Sequence, residues 1–245
     1  MTSRVFIAAA LIVLWIGHTP STVSQEPGLP ASASNPEGQE LAERLREAWP
    51  EEDMRVSGAL KIRERGQPTR RVPVEFSIQR DARAWRAIYR IPAAEGITAE
   101  TLVITHVPGE TNRYNVLERG SPDSSIDIFS PLGGSDFWIV DLGLDFLHWP
   151  GQRFIKTEMR KGRWCRVLES SREPVATHGY QRVISWLDKE EGQPILAEAY
   201  DVQNELLKEF SIGSFKKVDG QWRLEDMKII NVQRRSRTEL EFELE

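Results

Sequence analysis

The sequence predicts a mainly β fold: a curled antiparallel sheet of about ten or eleven strands, with two helical stretches as its apolar filling. First, many short segments alternate apolar and polar residues, so that each strand has one buried face. Second, turns that contain Gly or Pro join neighbouring segments, as expected for antiparallel hairpins. Third, one strongly apolar segment, residues 135–150, interrupts the pattern. A sheet of this size must curl or split, and a curled sheet needs apolar filling.

Residues 1–24 have the layout of a secretory signal peptide. One basic residue, Arg4, precedes an apolar run over residues 5–16. This run is shorter than the roughly 20 residues that span a bilayer. Thr22 and Ser24 are the small residues before the expected cleavage point, and no Cys follows the run to carry a lipid anchor. We therefore expect an exported protein, located in the periplasm or outside the cell.

Residues 25–36 are rich in Pro, Ser, Gly and Ala and are predicted to form a flexible linker. Residues 37–245 are expected to form a single domain, because roughly 220 residues are enough for one all-β core. Asn35 occupies the position of a helix N-cap. An amphipathic helix is predicted over residues 37–49, with its apolar stripe on the sheet. The residues of the stripe are Leu41, Leu45 and Trp49.

The alternation of residues defines the strands on both sides of the apolar segment. In residues 71–79 the apolar side chains share one parity and the polar ones take the other. A phase change between residues 224 and 227 predicts a bulge near Asp226. The candidate strands, twelve if every segment is counted separately, are 55–64, 71–79, 85–91, 101–107, 113–118, 153–160, 164–170, 180–188, 195–201, 205–218, 221–232 and a last strand ending near 244.

The segment 135–150 reads SDFWIVDLGLDFLHWP and is apolar on all sides, which is typical of a buried helix. We expect it to act as a lid or plug against the sheet. Its three acids, Asp136, Asp141 and Asp145, are predicted to form a solvated stripe, with Asp136 near the helix N-terminus. His148, between two apolar residues, is predicted to be packed or to contact solvent rather than bind a ligand.

Charge and cysteine content narrow the possible functions. The chain has 32 basic and 37 acidic residues, interspersed, for a net charge of −5, which gives no basis for a nucleic-acid partner. The single Cys165 cannot form an internal disulfide and is predicted to be a small core residue rather than a reactive thiol. The densest basic clusters are predicted to be solvated strand edges, with lipid phosphate or a partner surface as an alternative contact. These clusters are Arg70 with Arg71, and Arg234, Arg235 and Arg237.

Several motifs in the second half of the chain carry a family resemblance. In order they are SDFWIVDLGLDFLHWP, RWCRVLES, YQRVISWLD, AEAYDVQNELLKEF and VDGQWRLEDMKIINV. Together with the final strand, they make residues 135–242 resemble the outer-membrane lipoprotein-sorting family, the LolA-like group. The N-terminal helix and the earlier strands agree with that family in layout.

The resemblance implies an incomplete antiparallel β-barrel, plugged by helices, whose apolar cavity receives the acyl chains of a lipoprotein and carries them through the periplasm. The implied partners are lipoprotein acyl chains or another lipid, and an outer-membrane acceptor or an inner-membrane release complex. We expect a monomer, no cofactor and no metal. The residues predicted to line the cavity or the lid are Phe137, Trp138, Leu142, Phe146, Leu147, Trp149, Trp85, Tyr89 and Trp186.

The sequence offers little for enzymatic chemistry. After the predicted signal peptide, the three histidines lie far apart without metal-ligand spacing, and no nucleophile-elbow pattern occurs. We therefore predict a non-enzymatic carrier or chaperone. Two alternatives stay open: an envelope interaction module with a solid core, and a hydrolase of envelope lipids or glycans that uses Asp141 and Asp145. A cavity of about several hundred cubic ångströms would favour the carrier, and a cleft in which the two carboxylates face each other would favour the hydrolase.

Overall fold

The structure is a computed structural model that describes residues 5–6, 34–117, 126–172, 177–218 and 220–244. Nearly all of the predicted signal peptide and most of the predicted linker lie outside the described residues. Also outside are the loop around Pro122 and the turn residue Asp219.

Strands account for most of the described chain, as predicted. They are β1 (Val5–Phe6), β2 (Met54–Arg63), β3 (Arg70–Arg80), β4 (Trp85–Ile91), β5 (Glu100–His106), β6 (Arg113–Leu117), β7 (Gly151–Arg160), β8 (Arg163–Ser171), β9 (Arg182–Asp188), β10 (Pro194–Tyr200), β11 (Leu206–Ile212), β12 (Phe215–Val218), β13 (Gln221–Leu224), β14 (Asp226–Asn231) and β15 (Ser236–Phe242). The helices are α1 (Pro36–Arg46) and α2 (Ile139–Gly143), with 3₁₀ turns at Leu132–Gly134 and Asp145–His148.

Twelve strands form one open antiparallel sheet in the order β6-β5-β4-β3-β2-β15-β14-β11-β10-β9-β8-β7. The first and last strands of this order, β6 and β7, are edges that do not pair with each other, so the barrel is incomplete. The last strand of the chain, β15, lies between β2 and β14 near the middle of the sheet. A small second sheet contains the hairpin β12–β13, with β1 added in parallel.

One face of the large sheet, which we call the inner face, carries α1 and the segment 135–149. Alternation places the apolar side chains there, as the four buried apolar residues of β3 illustrate. Two apolar clusters cover it. The first cluster lies over β2–β5, β14 and β15, and its buried members include Leu60, Val74, Tyr89, Leu102 and Leu240. The second cluster lies over β8–β10 and includes Leu41 of α1, Leu168, Val183, Leu187 and Ala197.

The predicted strands 205–218 and 221–232 are each broken in two. The break falls where Asp226 contacts the opposite strand: its Oδ2 accepts the Ser214 N–H at 3.0 Å, and its carbonyl accepts the Gly213 N–H at 3.0 Å. A Cβ on Gly213 would lie 1.6 Å from the Asp226 carboxylate, so only Gly fits there. The expected irregularity near Asp226 is present, and it separates β12–β13 from the large sheet.

The prediction of one helix through the apolar segment is wrong. Helix α2 covers only five residues, because Leu144 adopts a left-handed conformation (φ 48°), and the chain continues as a 3₁₀ turn. Gly143 packs closely against β6, where an added Cβ would lie 2.4 Å from the Tyr114 hydroxyl oxygen. A contact with the sheet therefore overrides the helical tendency of the segment at this point.

Helix α1 begins one residue earlier and ends three residues sooner than predicted, and Asn35 is its N-cap as predicted. The Asn35 Oδ1 accepts the N–H groups of Gly38 (2.8 Å) and Phe154 (3.0 Å), and Nδ2 donates to the Phe154 carbonyl at 2.9 Å. Ser34 also donates to the Pro150 carbonyl. Residues 34–36, which the sequence placed in the linker, therefore belong to the folded domain.

Because Asn35 both caps α1 and pairs with the edge strand β7, Asn35→Ala should lower the free energy of unfolding by about 2 kcal/mol. Asn35→Asp keeps the acceptor oxygens and loses only the amide donor, so it should cost about half as much. Urea denaturation of the three proteins measures both values. Equal stability of Asn35→Ala and the wild type would show that α1 is held by its apolar stripe alone.

Candidate functional site

The segment 135–149, which we call the lid, crosses the inner face and contacts both apolar clusters. Phe137, Ile139 and Leu142 are buried in the first cluster. The lid residues buried in the second cluster are Val140, Phe146, Leu147 and Trp149. The lid therefore joins the two halves of the sheet on its concave side.

Between the two clusters, the inner face of β11, β14 and β15 carries a row of polar side chains, which we call the polar seam. Its members are Lys208, Asn231, Ser236 and Thr238, and all four are buried. Lys208 pairs with Asn231 across β11 and β14, and Asn231 pairs with Ser236 across β14 and β15. These strands lie near the centre of the sheet order, and the seam contacts the lid at Asp136 and Asp141.

Asp136 attaches the start of the lid to this seam. Its carboxylate accepts the hydroxyl groups of Ser236 at 2.6 Å and of Thr238 at 2.9 Å, and its backbone N–H donates to Thr238 Oγ1 at 2.9 Å. Its backbone carbonyl accepts the Lys208 ammonium at 2.7 Å. The prediction that Asp136 belongs to a solvated stripe is therefore wrong, because buried donors on β15 satisfy the carboxylate in place of water.

Asp141 attaches the lid a second time, through Lys208. The Lys208 Nζ lies 3.3 Å from Asp141 Oδ2, and the Lys208 side chain is only 1% exposed. Asp141 also accepts the Tyr180 hydroxyl at 2.7 Å and the Trp138 backbone N–H at 2.8 Å. The ammonium lies 3.3 Å from the centre of the Trp138 ring, and this ring stacks on Tyr180. The prediction that Asp141 is solvated is therefore also wrong, because its carboxylate binds Lys208 of the seam.

Burial is the main cause of the shifted pKa values of Lys208 and Tyr180. Burial lowers the pKa of Lys208 to about 8, while Asp141 and Asp136 favour its charged form and oppose the shift. Burial, together with the Asp141 carboxylate, raises the pKa of Tyr180 well above its ordinary value. At neutral pH the seam therefore holds a charged ammonium between the Asp141 carboxylate and the Asp136 backbone carbonyl, and Tyr180 remains a neutral hydrogen-bond donor.

The third lid acid, Asp145, is bound elsewhere. It accepts the Tyr114 hydroxyl at 3.1 Å and the indole N–H of Trp149 at 3.4 Å. Asp141 and Asp145 therefore have different partners, and each is engaged in holding the lid. The facing pair of carboxylates that a hydrolase would require is not the arrangement that the structure describes.

A small cavity of about 30 Å³ lies beside the seam, between the lid and β9–β11. This volume holds about one or two water molecules, whereas a pocket for a hydrocarbon chain needs several hundred cubic ångströms. The open cavity expected from the sequence is thus absent at this place, because the lid's own side chains fill the space. The cavity is lined by Asp141, Leu144, Phe146, Tyr180, Val183, Pro194, Ala197, Ala199, Lys208, Phe210 and Ile229.

The structure brings eight of the nine predicted site residues to the inner face and the lid. In the first cluster are Trp85, Tyr89, Phe137 and Leu142; in the second are Phe146, Leu147 and Trp149, with Trp138 against it. Trp186 is the exception. Val183 and Leu187 point inward on β9, so alternation turns Trp186 to the outer face, where it packs with Cys165 and donates to Glu158 at 2.6 Å.

The polar seam was not identified from the sequence. One signal was available, because Lys208 shares its strand parity with Phe210 and Ile212, so the alternation that predicts two core residues also predicts a buried lysine. Ser236 and Thr238 lie in phase with Leu240 and Phe242 in the same way. What the sequence does not indicate is which acids these residues bind, since the lid is about 70 to 100 positions away.

His106, His148 and Cys165 have pKa values that are shifted by burial in the fold. His106 stacks on Trp85 with ring centres 3.8 Å apart, and burial lowers its pKa to about 4. Burial also lowers the pKa of His148 and raises that of the Cys165 thiol.

Across the described part of the chain, no group of three or more His, Cys, Asp and Glu side chains is placed to hold a metal ion. Every helix among the described residues is too short or too polar to span a bilayer.

Comparison with known proteins addresses the fold. A sequence-family model described as that of an uncharacterised protein matches residues 124–244. No curated protein matches the sequence. An outer membrane lipoprotein-sorting protein domain from Vibrio parahaemolyticus superposes with a TM-score of 0.68 at 22% identity, covering 84% of this chain and 90% of that one. The chain has the LolA-like fold.

Two further solved structures agree with this assignment. A DUF1329 family protein from Desulfovibrio piger has a TM-score of 0.64 at 16% identity and covers 84% of this chain and 90% of that one. A LolA superfamily protein from Nitrosomonas europaea has a TM-score of 0.59 at 16% identity, covering 84% and 91%. The LolA-like fold is thus shared over most of each chain despite low sequence identity.

The contacts of Asp136 predict a large effect for a nearly isosteric change. Thr238→Val removes two hydrogen bonds, one of them to a buried charge, and should lower the free energy of unfolding by about 2 kcal/mol. Thr105→Val, on the outer face of β5, is the matched control and should change stability by less than about 0.5 kcal/mol. Urea denaturation measures both. Similar values for the two variants would show that Asp136 does not depend on Thr238.

The lowered pKa of Lys208 predicts a specific pH dependence. The folded protein releases this proton near pH 8, whereas the unfolded chain retains it to about pH 10.5, so unfolding takes up a proton between these values. Stability of the wild type relative to Lys208→Met should therefore rise by about 2 kcal/mol from about pH 7.5 to about pH 9.5. Because both proteins contain the buried tyrosines, the difference isolates Lys208. A difference that stays constant over this range would contradict the assignment.

Proposed function

We propose that the protein is a non-enzymatic carrier or chaperone of the periplasm that binds the acyl chains of lipoproteins, or other lipids, between the lid and the inner face of the sheet. The observation that carries this proposal is the lid itself: an apolar segment covers an apolar concave surface and is attached to it through a buried polar seam. The LolA-like fold supports the proposal, since one neighbour of that fold is named for outer membrane lipoprotein sorting.

An acyl chain and the lid would compete for the same surface. Each buried methylene of a cargo chain contributes about 0.8 kcal/mol, so a chain of ordinary length can replace the apolar contacts of Phe146, Leu147 and Trp149. On this proposal the cavity is small because the lid is closed and no cargo is bound. Binding requires the lid to leave the inner face.

The polar seam makes this movement a two-state event. If the lid lifts partly, Asp136, Asp141 and Lys208 lose their partners while still buried, which is more costly than either full contact or full exposure to water. A cargo with higher affinity for the open state shifts the equilibrium toward it. Delivery follows when an acceptor at the outer membrane binds the cargo more tightly, after loading at an inner-membrane release complex. We propose that the carrier acts as a monomer.

The dimensions of the cavity also favour a second candidate. An envelope interaction module, built on the same sheet with a solid core, would show the same 30 Å³ void and would have no state in which the lid opens. The two candidates differ in one measurable property, the capacity to bind a hydrocarbon chain.

Binding of a fluorescent fatty acid to the purified protein separates these candidates. The carrier should show saturable binding, and Thr238→Val should bind about thirtyfold more tightly, because destabilising the closed lid by about 2 kcal/mol shifts the population by that factor. Thr105→Val should bind like the wild type. Absence of saturable binding in all three proteins would overturn the carrier proposal and leave the interaction module.

A further inference from the structure

The turn between β7 and β8 concentrates positive charge. Residues 156–166, which we call the β7–β8 tip, contain five basic residues and one acid, a net charge of +4 in a chain whose net charge is −5. The basic residues are Lys156, Arg160, Lys161, Arg163 and Arg166. This local charge is opposite in sign to that of the whole protein.

Two features of these cations are unfavourable for the hairpin: a lysine at a left-handed turn position and two arginines that face each other. Lys161 and Gly162 both adopt left-handed conformations (φ 50° and 76°), for which Asn or Gly is preferred at the first position. Arg160 and Arg163 lie directly opposite each other, where like charges destabilise a strand pair. Burial, together with Lys228 and Arg160, lowers the pKa of Lys161. The turn thus carries Lys161 at a cost, whereas Lys156, Arg160 and Arg163 each pair with an acid, Glu158, Glu198 and Asp188 respectively.

Two large apolar side chains are exposed at the same tip. Met159 and Trp164 face each other across the hairpin and are 58% and 57% exposed. The neighbours of Met159 in β7 bind the outer face of the sheet: Glu158 accepts from Trp186, and Arg160 pairs with Glu198. By alternation, Met159 and Trp164 therefore lie on the inner-face side of the hairpin, and their exposure shows that this end of the inner face is uncovered.

Exposed apolar residues are normal when they are isolated, but here an exposed pair is surrounded by cations. Trp, Lys and Arg together are the residue types that reside at the level of lipid headgroups. We propose that the β7–β8 tip docks on the surface of an anionic phospholipid bilayer. Trp164 and Met159 enter the headgroup region, and the basic side chains contact phosphate groups. This docking does not depend on whether the protein carries a cargo.

The hairpin β12–β13 supplies a matched control within the chain. Trp222 is 38% exposed there, and Lys217 lies opposite it in the register. It thus presents a tryptophan and a lysine on another hairpin, without the dense group of arginines found at the β7–β8 tip.

Flotation with vesicles tests the proposal. The wild type should bind vesicles of phosphatidylcholine mixed with phosphatidylglycerol, and should bind vesicles of phosphatidylcholine alone much more weakly. The double variant Lys161→Glu with Trp164→Ser should lose at least about tenfold in affinity for the anionic vesicles. The control double variant, Lys217→Glu with Trp222→Ser, should bind like the wild type. Added salt should weaken binding of the wild type.

Three results would overturn the proposal: equal binding of the two double variants, equal binding of the wild type to neutral and anionic vesicles, or a lipid-free dimer that Trp164→Ser converts to a monomer. The last result would make the tip a contact between two copies of the chain. Circular dichroism melting checks that each variant is folded. If the double variant melts early, Lys161→Gln alone must still reduce binding to anionic vesicles. Fatty-acid binding should be unchanged in the tip variants, which separates this test from that of the carrier.

Discussion

The structure depends on one buried electrostatic arrangement: the Lys208 ammonium, placed between Asp136 and Asp141 at the centre of the sheet. A charge in this position is costly unless it is fully paired. Here a carboxylate, a backbone carbonyl and the face of Trp138 surround it. Two apolar clusters of similar character lie on either side and would accept the lid in many positions. The polar seam selects one of them, because in this placement the lid supplies partners for Lys208, Ser236 and Thr238.

This selection gives the apolar lid a discrete closed state. Apolar contacts alone are non-directional and allow gradual sliding, whereas a buried carboxylate either has its donors or lacks them. The small cavity follows from the same fact, since the lid held in register can fill the concave surface with its own side chains. Between the lid and β9–β11, this placement leaves the void of about 30 Å³ beside the seam.

Most of the fold could be predicted from local patterns. The alternation of β3, the N-cap at Asn35 and the turn at Lys161 and Gly162 depend on neighbouring residues, and the sequence contains all of that information. The lid could not be predicted to the same degree. Its helix stops where Gly143 meets Tyr114, and its acids bind β11 and β15, far away along the chain. The prediction for Trp186 failed for a simpler reason: its parity on β9 is opposite to that of Val183 and Leu187, so it faces outward.

The position of β15 has a consequence for biogenesis. This strand, the last in the chain, fits between β2 and β14, so the sheet has two separate portions until the C-terminal residues arrive. Ser236 and Thr238 arrive with it, and until then Asp136 lacks both of its hydroxyl donors. A polypeptide that emerges N-terminus first therefore cannot join the two portions of the sheet, or complete the partners of Asp136, until β15 has emerged.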